Sequence, residues 1–142
     1  MQFQSYAYGK NHWHLEPDLP AILARYWPAF QEHQIEFDDL GALVGSQVYD
    51  VADYVDHQAP PTLVMHDLDG LRIDRARLSP SHLDLLIRLA IINRPPYEGG
   101  SWHHHFALAF LLADPGFYCP LIVTNQTAYA LHKYAPEHAE TI

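Results

Sequence analysis

The sequence predicts a mostly α-helical fold, four or five helices in an up-down bundle with one short β-hairpin. Three observations carry this. Apolar residues recur at i, i+3, i+4 over long stretches. Proline pairs and an Asp-Pro-Gly step separate those stretches. A single Asp-Gly step, flanked by short alternating runs, marks one hairpin turn. The 142 residues, 49% of them apolar, suffice for one compact domain over 1–142.

Taken in order, residues 1–15 are aromatic and polar without a clear period. Asp18 is placed to cap a helix over 19–27, with Pro20 tolerated in its first turn. Asp38 or Asp39 caps a longer helix reaching about Val55. Its apolar positions are Leu40, Leu43, Val44, Val48, Val51, Ala52 and Val55. Gly41 and Gly45 lie four apart on that helix, where they cost helix propensity. Close approach of another backbone explains them. Pro60-Pro61 ends the helix. The run TLVMHDLDGLRIDRARL then reads as two strands, about 63–66 and 71–75, turning at Asp69-Gly70. An isolated hairpin is marginal in water, so this one is expected to pack on the helices. Ser79-Pro80 opens the next helix, to about Asn93, with Leu83, Leu86, Ile87, Ala90 and Ile91 inward. The last two helices are expected over 102–112 and from about Pro120 to Tyr134.

Composition excludes several classes. The formal charge of −9 argues against binding a phosphate backbone. The one basic group, Arg72, Arg75 and Arg77, is interleaved with Asp67, Asp69 and Asp74 and reads as a salt-bridged surface. No apolar run is long enough for a membrane span, and no signal peptide is visible, so a cytoplasmic protein is expected. Cys119 is the only cysteine, which excludes an internal disulfide and a cysteine-based zinc site.

His103-His104-His105 is the most conspicuous motif. Consecutive helix residues point about 100° apart, so the three cannot converge on one ion from a helix. They read as helix-entrance and surface histidines, and no metal site is assigned. His12-x-His14 could share a face only in an extended segment. His33, His57, His66, His82, His132 and His138 fall near element ends, at solvated positions. DLDGLRID lacks calcium-loop spacing and reads as a turn. No nucleophile elbow, phosphate loop or dinucleotide fingerprint is present, and no catalytic residue is assigned.

The last helix, CPLIVTNQTAYALHKYA, has apolar ends and a polar middle, Thr124 to Thr127. Two readings stay open. The helix crosses a core at a ligand cavity, or one face is wet and carries Asn125 and Gln126.

The ordered set LGALVGSQVYDVADYVDHQAPPTLVMHDLDGLRIDRARLSPSHLDLL followed by CPLIVT resembles the N-terminal helical domain of acyl-CoA dehydrogenases. The branch it resembles includes the adaptive-response protein of alkylation damage. In that branch a helix leads into apolar-x-x-Asp-x-x-Gly-x-Arg-x-Asp. A proline-started helix and a Cys-Pro-x-x-x-Thr helix follow, matched here by Cys119, Pro120 and Thr124. The resemblance covers about residues 40–134. It implies oxidation of acyl-CoA thioesters with FAD, at a site built by this domain, a middle β-barrel and a C-terminal four-helix bundle. The catalytic carboxylate and most flavin contacts come from the latter two, and the barrel's flavin motifs are absent from this sequence. FAD is therefore implied for the complete enzyme and none for this chain alone, which is expected to be inert by itself, as a truncated chain or a split subunit. The implied partners are a barrel-containing flavoprotein or further C-terminal domains, and an acyl-CoA thioester. DNA binding in that branch belongs to the C-terminal part, so no nucleic acid is expected here. The resemblance makes Thr124 a wall residue of the acyl pocket, with Phe106, Phe110, Leu121 and Leu131 as apolar lining. Apolar faces left uncovered predict self-association or a partner. The alternative is a non-catalytic helical interaction or small-ligand-binding module.

Overall fold

Residues 5–113 and 115–141 are described by a computed structural model. The fold is mostly helical, with one antiparallel hairpin. Helix α1 is Asp18–Tyr26. Asp18 is its first residue rather than its cap, a place where a carboxylate suits the helix dipole. A 3-10 turn, Pro28–His33, leads straight into α2, Gln34–Leu43. The helix thus starts earlier than Asp38. That aspartate is needed elsewhere: its carboxylate and backbone carbonyl both accept from the Asn11 amide at 3.0 Å, and its carboxylate pairs with His14 at 2.7 Å.

Helix α2 continues through a π turn, Val44–Val48, into α3, Tyr49–His57. The glycine pair explains why. A Cβ on Gly45 would fall onto the Lys10 carbonyl, and one on Gly41 would lie 2.6 Å from the Trp13 amide nitrogen. The segment before α1 therefore lies directly on this helix, as the glycine spacing predicts. The widened turn also offers the Gly45 carbonyl to the Gly9 N–H, at 2.6 Å. Trp13 stacks on Phe37 with centroids 4.8 Å apart, closing the strap.

Strands β1, Thr62–His66, and β2, Arg72–Arg77, pair antiparallel with Leu63 opposite Ala76 and His66 opposite Arg72. The Asp67 carboxylate accepts from the Asp69 and Leu71 N–H groups, each at 2.9 Å, and Gly70 supplies the positive φ of +82°. DLDGLRID is thus a turn, as expected. The expectation that the hairpin packs on the helices fails. Only Val64 is half-buried; every other strand residue is exposed. The reason lies in β2, which places a charge on each face and so keeps both faces in water. The interleaved ion pairs reduce, among the described residues, to Arg72–Asp74 at 2.6 Å, since Asp67 is committed to the turn.

Helix α4, Pro80–Leu89, is capped by the Ser79 hydroxyl and passes into a 3-10 turn, Ala90–Asn93. Its inward stripe is Leu85, Leu89 and Ile92; of the residues expected inward, Leu86 is half-buried against the core, whereas Leu83, Ile87, Ala90 and Ile91 are exposed. Helix α5, Trp102–Leu111, is buried on several sides. It packs on α1, α2 and the Ala90–Asn93 turn, and α6, Tyr118–Tyr134, packs on that same turn. One core runs from Trp13, Trp27 and Phe37 through Leu85 and Leu108 to Leu112 and Leu121. Among the described residues no helix is long and apolar enough to cross a membrane.

Candidate functional site

Helix geometry sends the three consecutive histidines to three destinations. His103 is exposed, and its ring contacts the Ser101 cap at 3.1 Å. His104 and His105 are buried, which corrects the reading of the triplet as surface residues. The neighbours available explain it: α5 is covered by α1, α2 and the Ala90–Asn93 turn, so the two polar positions on its covered sides meet protein rather than water.

His105 is fully buried between the Ala90–Asn93 turn and α6. Its Nδ1 donates to the Ile92 carbonyl at 2.9 Å. That leaves Nε2 as an acceptor, which takes a bond from the Asn125 amide at 2.9 Å. The Asn125 carbonyl oxygen accepts from the Tyr97 hydroxyl at 2.8 Å. The chain Tyr97–Asn125–His105–Ile92 thus has one direction of proton donation throughout, and burial raises the Tyr97 phenol above its ordinary range. Asn125 is the polar residue of α6 that faces inward; Gln126 is wet. Each of the two open readings of this helix thus describes one of these neighbours.

His105 and Asn125 of this network lie at the floor of a trough of about 360 Å³ along α5 and α6. Trp102, His105, Phe106, Ile122, Asn125, Gln126 and Tyr129 line it. None is a carboxylate or a fixed cation. A second trough, about 420 Å³, lies across the Trp102–Phe106 ridge and is lined by Leu19, Leu23, Trp102, His103, Phe106, Ala107 and Phe110. The ridge rings sit 5.8 Å apart, and Tyr129 meets Trp102 edge-on at 5.7 Å. Such a surface can hold an apolar chain and offer amide groups to a polar one. It presents no nucleophile with an adjacent base.

The expected wall residues separate. Phe106 lines both troughs and Phe110 the second, each about half exposed. Leu121 is core, its carbonyl taken by the Asn93 amide at 3.0 Å. Thr124 is exposed and donates its hydroxyl to the Pro120 carbonyl at 2.9 Å; it lines neither trough, nor does the half-buried Leu131. Trp102, Ile122 and Tyr129 were not singled out from sequence, and Asn125 was named only within the polar middle of the last helix, with its side left open. One signal was available for Asn125: it follows Leu121 by four and so shares its buried face.

A second polar cluster sits on a different side of α5. The Glu36 Oε2 lies 2.8 Å from His104 Nε2 and 3.0 Å from His33 Nδ1. Both imidazoles stack on Trp27, at 4.9 and 5.0 Å. Burial pushes His104 below the ordinary imidazole range, against the opposing pull of Glu36. Sequence reading passed over Glu36 because its helix was started too late, although His33 and Glu36 stand at helical i, i+3 spacing.

Comparison with family models places the chain in a class, the acyl-CoA dehydrogenase-like helical domains. More narrowly, it belongs to the family described as the adaptive response protein AidB N-terminal domain, which matches residues 4–142. No curated protein matches the chain.

Proposed function

We propose that this domain supplies one wall of the acyl pocket of a flavin-dependent acyl-CoA dehydrogenase-like enzyme. FAD and the general base come from a barrel-containing partner or from further domains, a reading supported by the flavoprotein character of the family. The observation that carries it is the uncharged aromatic ridge of Trp102 and Phe106 with a trough on either side. A thioester's alkyl chain needs an apolar groove, and the α-proton and hydride need groups that this surface does not offer.

The test is a titration of the chain with saturated acyl-CoA thioesters of increasing length, followed by tryptophan fluorescence. Affinity should rise with length, by up to about 0.8 kcal/mol per buried methylene. Phe106→Ala should loosen binding about tenfold, which is about 1.4 kcal/mol. Thr124→Val should change it less, because that hydroxyl is committed to its own helix. Affinity that is indifferent to acyl length, and unchanged in Phe106→Ala, would rule the reading out.

A further inference from the structure

We propose that His33, Glu36 and His104 form a binding site for a divalent transition-metal ion of the zinc class. Its donors are His33 Nδ1, Glu36 Oε2 and His104 Nε2. The site lies on a different side of α5 from the His105 network and does not depend on an acyl pocket.

Three elements build it. His33 ends the 3-10 turn before α2, Glu36 is in the first turn of α2, and His104 comes from α5, 68 residues further on. The three donor atoms lie within 4.8 Å of one another. A tetrahedral ion with bonds of about 2.0 Å separates its ligands by about 3.3 Å. The present separations from Oε2, 2.8 and 3.0 Å, are a few tenths of an ångström short of that spacing, and the two ring nitrogens lie within 4.8 Å of each other. Trp27 stacks on both imidazoles and fixes their planes, which are 4.2 Å apart at their centroids. Two imidazoles and one carboxylate are a donor set that borderline divalent ions favour.

The surroundings leave a coordination position open. The cluster borders a cavity of about 560 Å³, which Arg94 and Glu98 also line. Water can complete the shell from that side. Glu36 supplies one negative charge to the ion, and the opposite charges of Glu98 and Arg94 offset each other at the rim. In the metal-free state Glu36 accepts a hydrogen bond from each ring; binding replaces those two hydrogen bonds with metal–ligand bonds, and each neutral imidazole then carries its proton on its other ring nitrogen.

The experiment is a titration of chelator-treated protein with Co2+, read by its visible ligand-field absorption, then displacement by Zn2+. One equivalent should develop tetrahedral bands. His33→Ala and Glu36→Gln, both at accessible positions, should each weaken binding at least tenfold with the helical circular dichroism unchanged. His57→Ala, which removes an exposed histidine beside Asp53, should have no effect. Absence of a stoichiometric band, or bands that survive both substitutions, would overturn the proposal and leave a His–carboxylate–His hydrogen-bonded cluster. Should a variant fail to fold, the wild-type chain decides. One equivalent of Zn2+ must shift the His33 and His104 ring signals before the others, and equal shifts across the surface histidines would equally overturn it.

Discussion

A single buried amide directs the polar chemistry of the helix pair. Asn125 holds His105 on one side and Tyr97 on the other, and the fully buried His105 has no water to turn to at that end. Asn125→Ala should therefore destabilise the fold by about 2–3 kcal/mol, the cost of a buried acceptor left unpaired. Tyr97→Phe should cost about 1 kcal/mol, since it removes one bond at a half-buried edge. Chemical denaturation separates the two, and equal small losses would show that the network carries no weight. At this scale the sequence was legible in part. Helix periodicity forbade convergence of His103, His104 and His105 and was right. It could not say that two of them are buried, because burial depends on how many neighbours α5 acquires. Of the expected wall residues, Phe106 and Phe110 come together, while Thr124 turns its hydroxyl back to its own helix.

Punctuation by proline, glycine and capping serine located the elements well; their phases were harder. In α4 two apolar stripes compete, one through Leu83 and Ile87 and one through Leu85 and Leu89. Both satisfy helical spacing, and only the neighbouring α3 decides between them. The glycine pair of α2 and the π turn after it was more informative, since glycine in a helix interior has a cost that demands a contact. Gly45→Ala makes that contact measurable. Its methyl group would meet the Lys10 carbonyl, a backbone atom that cannot swing away. The loss should be about 3 kcal/mol, and the amide of Gly9 should lose its protection with it. An alanine variant as stable as the parent would mean that the segment before α1 does not rest on the helix. The π turn itself has no signature in the sequence, because it is imposed by the strap across it.

At the scale of the molecule, stability is unevenly distributed. The core ties α1, α2, α4, α5 and α6 together, whereas β1 and β2 contribute almost nothing to it. The hairpin should therefore open without the helices. Its amide hydrogens should exchange through openings far cheaper than global unfolding, while those of α5 exchange only with the whole fold. Hydrogen exchange measured segment by segment checks this, and equal protection in β1 and α5 would contradict it. The turn chemistry of the hairpin was fully legible, and its docking was not. The charges of β2 were the available signal, but the expectation of docking rested on the marginal stability of an isolated hairpin.

The strap over Gly41 and Gly45 also sets an order of events during synthesis. Every group it needs lies within the first 57 residues, so α2 and α3 can acquire that cover as soon as they leave the ribosome. The other side of α2 belongs to α5, whose last residue, Leu111, is made 54 residues after His57. At the usual pace of elongation that is a wait of roughly 3–10 s. During it Phe37 has its tryptophan partners but not His104, and the nascent chain shows an apolar flank that only the arrival of α5 removes.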